Sequence, residues 1–264
     1  SGSGLEQIRA AGISVDGPVL EQEAKALNPG FVKSMTVGLP FVRCKLAMSL
    51  DGRTAMASGE SKWITGPEAR DQVQQLRAGS GAIITGIETV LLDDPGLDVR
   101  SELVCEQPLR VIVDSSLRIP VEAKILSLPG ETIIATAVSS KELLADKQKM
   151  MGNENVTLYS CPNADGQVNL EELLRFLVSE KQCHDVLLES GAELAGAMLT
   201  DELVDEVITY IAPSLLGSEA RPLFNLRGLS TMEDRIELEI LDVSMVGKDC
   251  RMRTRPVYQH NHQE

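Results

Sequence analysis

Short apolar runs recur along the chain, separated by stretches in which apolar residues return every three or four positions. That alternation predicts strand and helix in turn. PFVRCKLAMSL (40–50), SGAIITG (80–86), LRVIVDS (109–115), ETIIATAV (131–138), DVLLES (185–190) and EVITYIAP (206–213) read as strands. Thr65-Gly66-Pro67-Glu68 has the form of a capping box with proline in the first turn. The helix it opens carries Ala69, Val73 and Leu76 on one face and stops at Gly79. ETVLLDDP (88–95) reads as a helix halted by Pro95. Asn169 opens a helix with Leu170, Leu173, Leu174, Leu177 and Val178, and GAELAGAMLT (191–200) reads as another. Two late runs, 235–246 and 251–257, flank Gly247-Lys248-Asp249 as a hairpin. The sum is one α/β domain over about 40–257, its mixed sheet closed by an antiparallel pair.

Residues 1–30 follow a different pattern. A short helix (Leu5–Ala11), a strand-like Ile13-Ser14-Val15 and a second helix (Val19–Leu27) precede an Asn28-Pro29-Gly30 turn. Thirty residues cannot build a core of their own. Residues 258–264 read as a disordered tail.

Composition narrows the partners. The chain has 264 residues, 43% of them hydrophobic, and a net charge of −14. That charge disfavours nucleic acid and anionic membranes. With aromatics at 3% there is no stacking platform for single strands. No apolar run reaches membrane-spanning length, and the start lacks a signal peptide's basic end and apolar centre. Cys44, Cys105, Cys161, Cys183 and Cys250 are scattered, with no C-x-x-C. They read as reduced, buried thiols of a cytoplasmic protein. The histidines are His184, His260 and His262, the last two in the polar tail, so neither a histidine triad nor a structural zinc is expected.

Ligands of open α/β sheets bind beyond the carboxyl ends of the strands. Asp51-Gly52, Gly86 with Thr89 and Asp93, Ser115, and Glu189 through Gly191 all fall at such ends. Gly191, followed by a helix rich in small residues, is either an anion seat or a tight strand–helix joint. Lys45 lies mid-strand, a costly place unless its ammonium meets a carboxylate, a phosphate or a wet cleft. Glu189 ends an apolar strand, as an acid/base group or a satisfied strand-end carboxylate. Arg77 and Arg100 sit where loops should meet the sheet edge, as anion ligands or solvated arginines. The only tryptophan, Trp63, sits in a polar, glycine-bearing loop, as a loop anchor or a ligand surface.

KLAMSLDGRTAMASGESKWITG (45–66), GAIITGIETVLLDDPGLDVR (81–100), RVIVDS, LLESGAELAGA and VDEVITYIAPSLLGSEA, in this order, resemble one family. It is the reductase domain of the bacterial bifunctional riboflavin-biosynthesis protein, which joins a zinc-dependent pyrimidine deaminase to a pyrimidine reductase. The similarity runs over roughly residues 28–250. It implies a dihydrofolate-reductase-like three-layer fold, NADPH as cofactor and usually a homodimer. It implies reduction of the small molecule 5-amino-6-(5-phosphoribosylamino)uracil: the ribosyl amine opens to an imine and hydride reaches C1′ of the former sugar. By position, the resemblance implies that Ala47, Trp63, Thr89, Asp93, Ser115 and the run Gly191, Ala192, Glu193, Leu194, Ala195, Gly196 and Ala197 contact NADPH. Ser61, Arg77, Leu97, Arg100 and Glu189 would contact substrate, with Lys45 and Glu189 beside the reacting carbon. The proton donor stays open among Lys45, Glu189 and a water. Arg118 is a candidate for the 2′-phosphate.

The deaminase zinc motif, H-x-E followed by P-C-x-x-C, does not occur in the chain. Residues 1–30 nevertheless resemble the end of that deaminase domain. Two alternatives are a non-catalytic nucleotide-binding remnant and a reductase acting on the undeaminated pyrimidinone. A Rossmann dehydrogenase is disfavoured because G-x-G-x-x-G is absent.

Overall fold

In the computed structural model, residues 3–100 and 106–258 are described. The helices are α1 (Ser3–Ala10), α2 (Glu21–Leu27), α3 (Pro29–Val37), α4 (Pro67–Ala78), α5 (Ile87–Asp93), α6 (Lys124–Ser127), α7 (Lys141–Met151), α8 (Leu170–Ser179) and α9 (Ala192–Thr200). The strands are β1 (Phe41–Ser49), β2 (Arg53–Ala55), β3 (Ala82–Gly86), β4 (Leu109–Val113), β5 (Thr132–Thr136), β6 (Val156–Ser160), β7 (Asp185–Leu188), β8 (Glu206–Ala212), β9 (Arg221–Pro222), β10 (Glu237–Val246) and β11 (Asp249–Val257).

Nine strands form one sheet in the order β10-β11-β8-β1-β7-β3-β4-β5-β6. Every pair from β8 to β6 is parallel, and the β10–β11 hairpin joins β8 antiparallel. The buried strands are apolar on both faces because both faces are covered. Val42, Cys44, Ile84, Val111 and Val186 face a core completed by α8 and α9, while Ile83, Ile112 and Ile134 face α5 and α6. On that second side Ala69 and Val73 of α4 meet Ile208 and Tyr210. Beyond α4 the same face carries a charge ladder. Glu206, 3% exposed, sits between Arg43 and Arg253, and Arg43 also reaches Asp185.

Four local expectations need correction. Asn28-Pro29-Gly30 is not a closing turn. Asn28 is the N-cap of α3, accepting from Phe31 N at 3.3 Å, and Pro29 is its first residue. The three residues suit both jobs, because asparagine caps and proline starts helices as readily as they make turns. Ile13-Ser14-Val15 forms no strand. Helix α4 has Gly66 as N-cap with no side-chain cap, so the capping-box frame is wrong by one residue. Gly66 N instead donates to Asp249 Oδ2 at 2.6 Å. Tyr258, assigned to the disordered tail, donates its hydroxyl to Val204 O at 2.8 Å. The rest of that tail, with His260 and His262, lies outside the described residues, as does Cys105. No described helix is long and apolar enough to cross a membrane.

Candidate active site

A cleft of ≈ 1410 Å³ opens along the carboxyl ends of β1, β3, β4 and β7. Its floor is a cluster of three charges. Register places Lys45 of β1 one step beyond the Cys44–Leu188 pair, next to the residue that follows β7, which is Glu189. From the last turn of α4, Arg77 grips Glu189 with two bonds: Nε to Oε1 at 2.6 Å and one terminal nitrogen to Oε2 at 3.0 Å. The other terminal nitrogen donates to Asp98 O at 3.0 Å. Both partners of the ion pair are 11% exposed. The Lys45 side chain makes no hydrogen bond to another described residue, although its backbone belongs to the β1–β8 ladder.

These neighbours set the protonation states. Burial pushes the Glu189 carboxyl up, but the charge and hydrogen bonds of Arg77, with Lys45 behind them, hold it below its ordinary value. Burial pulls the Lys45 ammonium below its ordinary value, Arg77 adds to that, and Glu189 opposes. The floor therefore sets a carboxyl biased towards its ionised form beside an ammonium whose hold on its proton is weakened.

The walls come from loops and helix starts. Gly86 and Gly191, the N-caps of α5 and α9, both line the cleft, and neither helix has a side-chain cap. Their first amide groups are left for a ligand or water. Ser115 Oγ donates to Gln167 Oε1 at 3.0 Å and accepts from Val168 N at 3.2 Å. On the far side, the loop after β1 is anchored by Asp51, which accepts from Ser49, from Leu216 N at 3.1 Å and from Gly217 N at 2.8 Å. The Ser49 bond first, and then the amides, hold its carboxyl at about 2. A two-stranded ribbon of β2 and β9 ties the same two loops together.

With this geometry in hand, the comparisons decide the family. The model of the RibD C-terminal domain matches residues 40–251. The chain belongs to the RibD C-terminal domain family. It is 43% identical over 262 residues to the riboflavin biosynthesis protein RibD of Escherichia coli, covering 94% of this chain and 69% of that protein. Acinetobacter baumannii RibD in one crystal form superposes with a TM-score of 0.84 at 43% identity, over 98% of this chain and 69% of that one. The Thermotoga maritima diaminohydroxyphosphoribosylaminopyrimidine deaminase/5-amino-6-(5-phosphoribosylamino)uracil reductase gives 0.79 at 27% identity, over 96% and 67%. Saccharomyces cerevisiae Rib7, a riboflavin biosynthesis reductase, shares the fold at 21% identity and a TM-score of 0.66. The chain is thus homologous to the reductase part of RibD, the riboflavin-biosynthesis protein, and has the dihydrofolate-reductase-like fold of that family, whose reductases use a nicotinamide cofactor.

Most of the residues singled out in this RibD domain converge. Lys45, Ala47, Ser61, Trp63, Arg77, Thr89, Asp93, Leu97, Arg100, Ser115 and Glu189 all line the cleft, as do Gly191, Ala192, Glu193, Leu194 and Ala197. Two do not. Ala195 is buried in the core against the sheet, and Gly196 lies beneath the backbone of Asn225. A helix turning 100° per residue cannot aim seven consecutive side chains at one ligand. Arg77 also needs correction: it stands on a helix, and its guanidinium is already engaged by Glu189 and Asp98 O. Leu97 belongs mainly to the core beside α5.

Sequence reasoning missed Arg70, Gln74, Asn163, Gln167, Arg221 and Asn225, which also line the cleft. Arg70, Gln74 and Arg77 share one face of α4 at spacings of four and three, a signal that was readable. Asn225 comes from a segment without helical or strand period. Gly196→Ala is expected to force Asn225 and its loop outward, because the added carbon would fall well inside contact distance of the Asn225 carbonyl. The cost is about 1–3 kcal/mol, the range for overpacking, visible as a lowered midpoint in urea.

Proposed function

We propose that this RibD domain is an NADPH-dependent reductase of 5-amino-6-(5-phosphoribosylamino)uracil that yields the ribitylamino product. The carrying observation is the Lys45–Glu189–Arg77 cluster at the floor of the cleft, beside two glycine-capped helix starts. The residues present fit the cofactor. Uncapped amides at Gly191 and Gly86 suit a pyrophosphate, small side chains at Ala192 and Ala197 admit a flat ring, and Trp63 offers a broad face. Bound NADPH supplies the hydride. Lys45 Nζ holds the proton that the substrate nitrogen takes up as the imine is reduced. Glu189 keeps that ammonium charged and accepts from the ribityl hydroxyls, while Arg77 fixes the carboxylate. Arg100, exposed on the cleft rim, pairs the substrate phosphate, and Arg118, ion-paired with Glu88 at 2.5 Å, is the candidate for the 2′-phosphate.

The name of the Thermotoga relative supports the deaminated pyrimidine as substrate. The absence of the zinc motif argues that this chain has no deaminase activity, and residues 1–30 are best read as the end of a deaminase domain. Strand β10 lies at the sheet edge with Leu238, Ile240, Val243 and Met245 exposed, which suits a homodimer interface.

The direct test is NADPH oxidation with the phosphoribosylaminouracil and, separately, with its undeaminated precursor. Turnover of the first is expected. Bound NADPH with no oxidation at high enzyme concentration would instead mark a binding module. The two sides of the cleft are separated by mutation. Arg100→Ala is expected to raise the substrate KM by roughly ten- to a hundred-fold, the worth of one charge-assisted contact, with little change in NADPH affinity. Trp63→Ala is expected to weaken NADPH most. Equal losses for both ligands in either variant would reject the division.

A further inference from the structure

The Trp63 indole is 70% exposed, so burial does not hold it in place. Residues 61–65 belong to no helix or strand. What the ring does touch is Arg70, whose guanidinium carbon lies 4.6 Å from the ring centroid. One terminal nitrogen of Arg70 also donates to Thr65 O at 2.8 Å, two residues along the same loop. The loop is pinned immediately afterwards, where Gly66 N meets Asp249. Arg70 itself stands on α4, the helix that carries Arg77 to the cleft floor, and lines the same cleft. A helix thus reaches an irregular loop through one planar cation stacked on one planar ring.

We propose that Arg70 is a positioning residue: it presets the Trp63 indole as a wall of the cofactor cleft before cofactor arrives. This rests on the reading of Trp63 as a cofactor contact. The logic is preorganisation. An exposed ring free to rotate must be ordered at the moment of binding, whereas a stacked ring is already in place. Arg70 then strengthens cofactor binding without touching the cofactor.

The single tryptophan makes the idea measurable in the free protein. Arg70→Ala should lower the residual fluorescence anisotropy of Trp63 with the melting temperature monitored alongside, and Arg70→Lys, which keeps a cation, should recover part of it. Arg70→Gln keeps a donor for Thr65 O but no cation, and should resemble alanine. Unchanged anisotropy in Arg70→Ala, or full recovery by glutamine, overturns the stacking role.

The second arm titrates NADPH into wild type, Arg70→Ala, Trp63→Ala and the double variant. Arg70→Ala should raise the dissociation constant by about two- to five-fold, matching an exposed cation–π contact. In the Trp63→Ala background the same change should have almost no effect, since the cycle isolates the coupling. An equal loss in both backgrounds overturns the proposal, because Arg70 would then act on the cofactor directly. If Trp63→Ala binds NADPH as wild type does, the cofactor reading of Trp63 fails, and the anisotropy results show whether the stack survives without it.

Discussion

Replacing Lys45 by methionine is expected to lower kcat by about two to four orders of magnitude, the range for loss of a positioned proton donor. NADPH should still bind. Methionine keeps the length and packing of the stem and removes only the charged nitrogen, so the effect isolates the proton. The direction of the pH dependence follows from the site. In the proposed reaction Lys45 works protonated, and burial lowers its pKa from the ordinary 10.5. Activity of the wild type should therefore fall as pH rises, along a limb that lies below the ordinary lysine range. A kcat/KM profile measures this. If the alkaline limb is unchanged in Lys45→Met, some other group supplies the proton.

Glu189→Gln carries the second large effect, on two readouts at once. Glutamine retains the shape but leaves Arg77 and Lys45 as neighbouring cations without their anion. Breaking a buried ion pair costs about 3–5 kcal/mol, and this pair is nearly dry. The sign in pH is fixed by the depressed carboxyl. Its contribution is fully present above the unfolded glutamate value of 4.5 and is lost as pH falls through the folded value. Wild type and variant should thus differ most at neutral pH and converge in acid, as denaturant titrations at several pH values would record. The kinetic readout moves the other way along the scale. Glu189 raises the Lys45 pKa, so its neutralisation should shift the alkaline limb of activity to lower pH. A limb that stays put would uncouple the two groups.

The periodic parts of this protein were legible because burial imposes them. The strand at 80–86 is β3, the one at 206–213 is β8, and Leu170, Leu173, Leu174 and Leu177 of α8 are all buried, since a sheet face or a helix stripe must be apolar to pack. Helix α7 and strand β6 escaped notice. Helix α7 has no buried residue and β6 is an edge strand with one, so neither needed a clear pattern. The two-residue β9 is too short to leave any period.

The site divides along the same line. Lys45 and Glu189 stood out because charge at the end or middle of an apolar strand has to be justified. The grip of Arg77 on Glu189 spans 112 positions and depends on how α4 packs across the sheet, which no local pattern encodes. The Arg70–Trp63 stack was within reach of a local reading, but only once α4 and its first residue were placed in the correct frame.

The strand order also bears on how the molecule is assembled. Strands β3 to β6 line up in the order in which they are made, so that half of the sheet can form during synthesis. Strand β1, which carries Lys45, is flanked by β7 and β8, and its pairing to β7 joins residues 41–44 to residues 185–188. The lysine strand therefore leaves the ribosome early and waits for partners translated far later, a long loop closure that slows folding. The floor of the cleft is consequently among the last features to appear, because Glu189 and the β7 pairing that sets it beside Lys45 come only after residue 184.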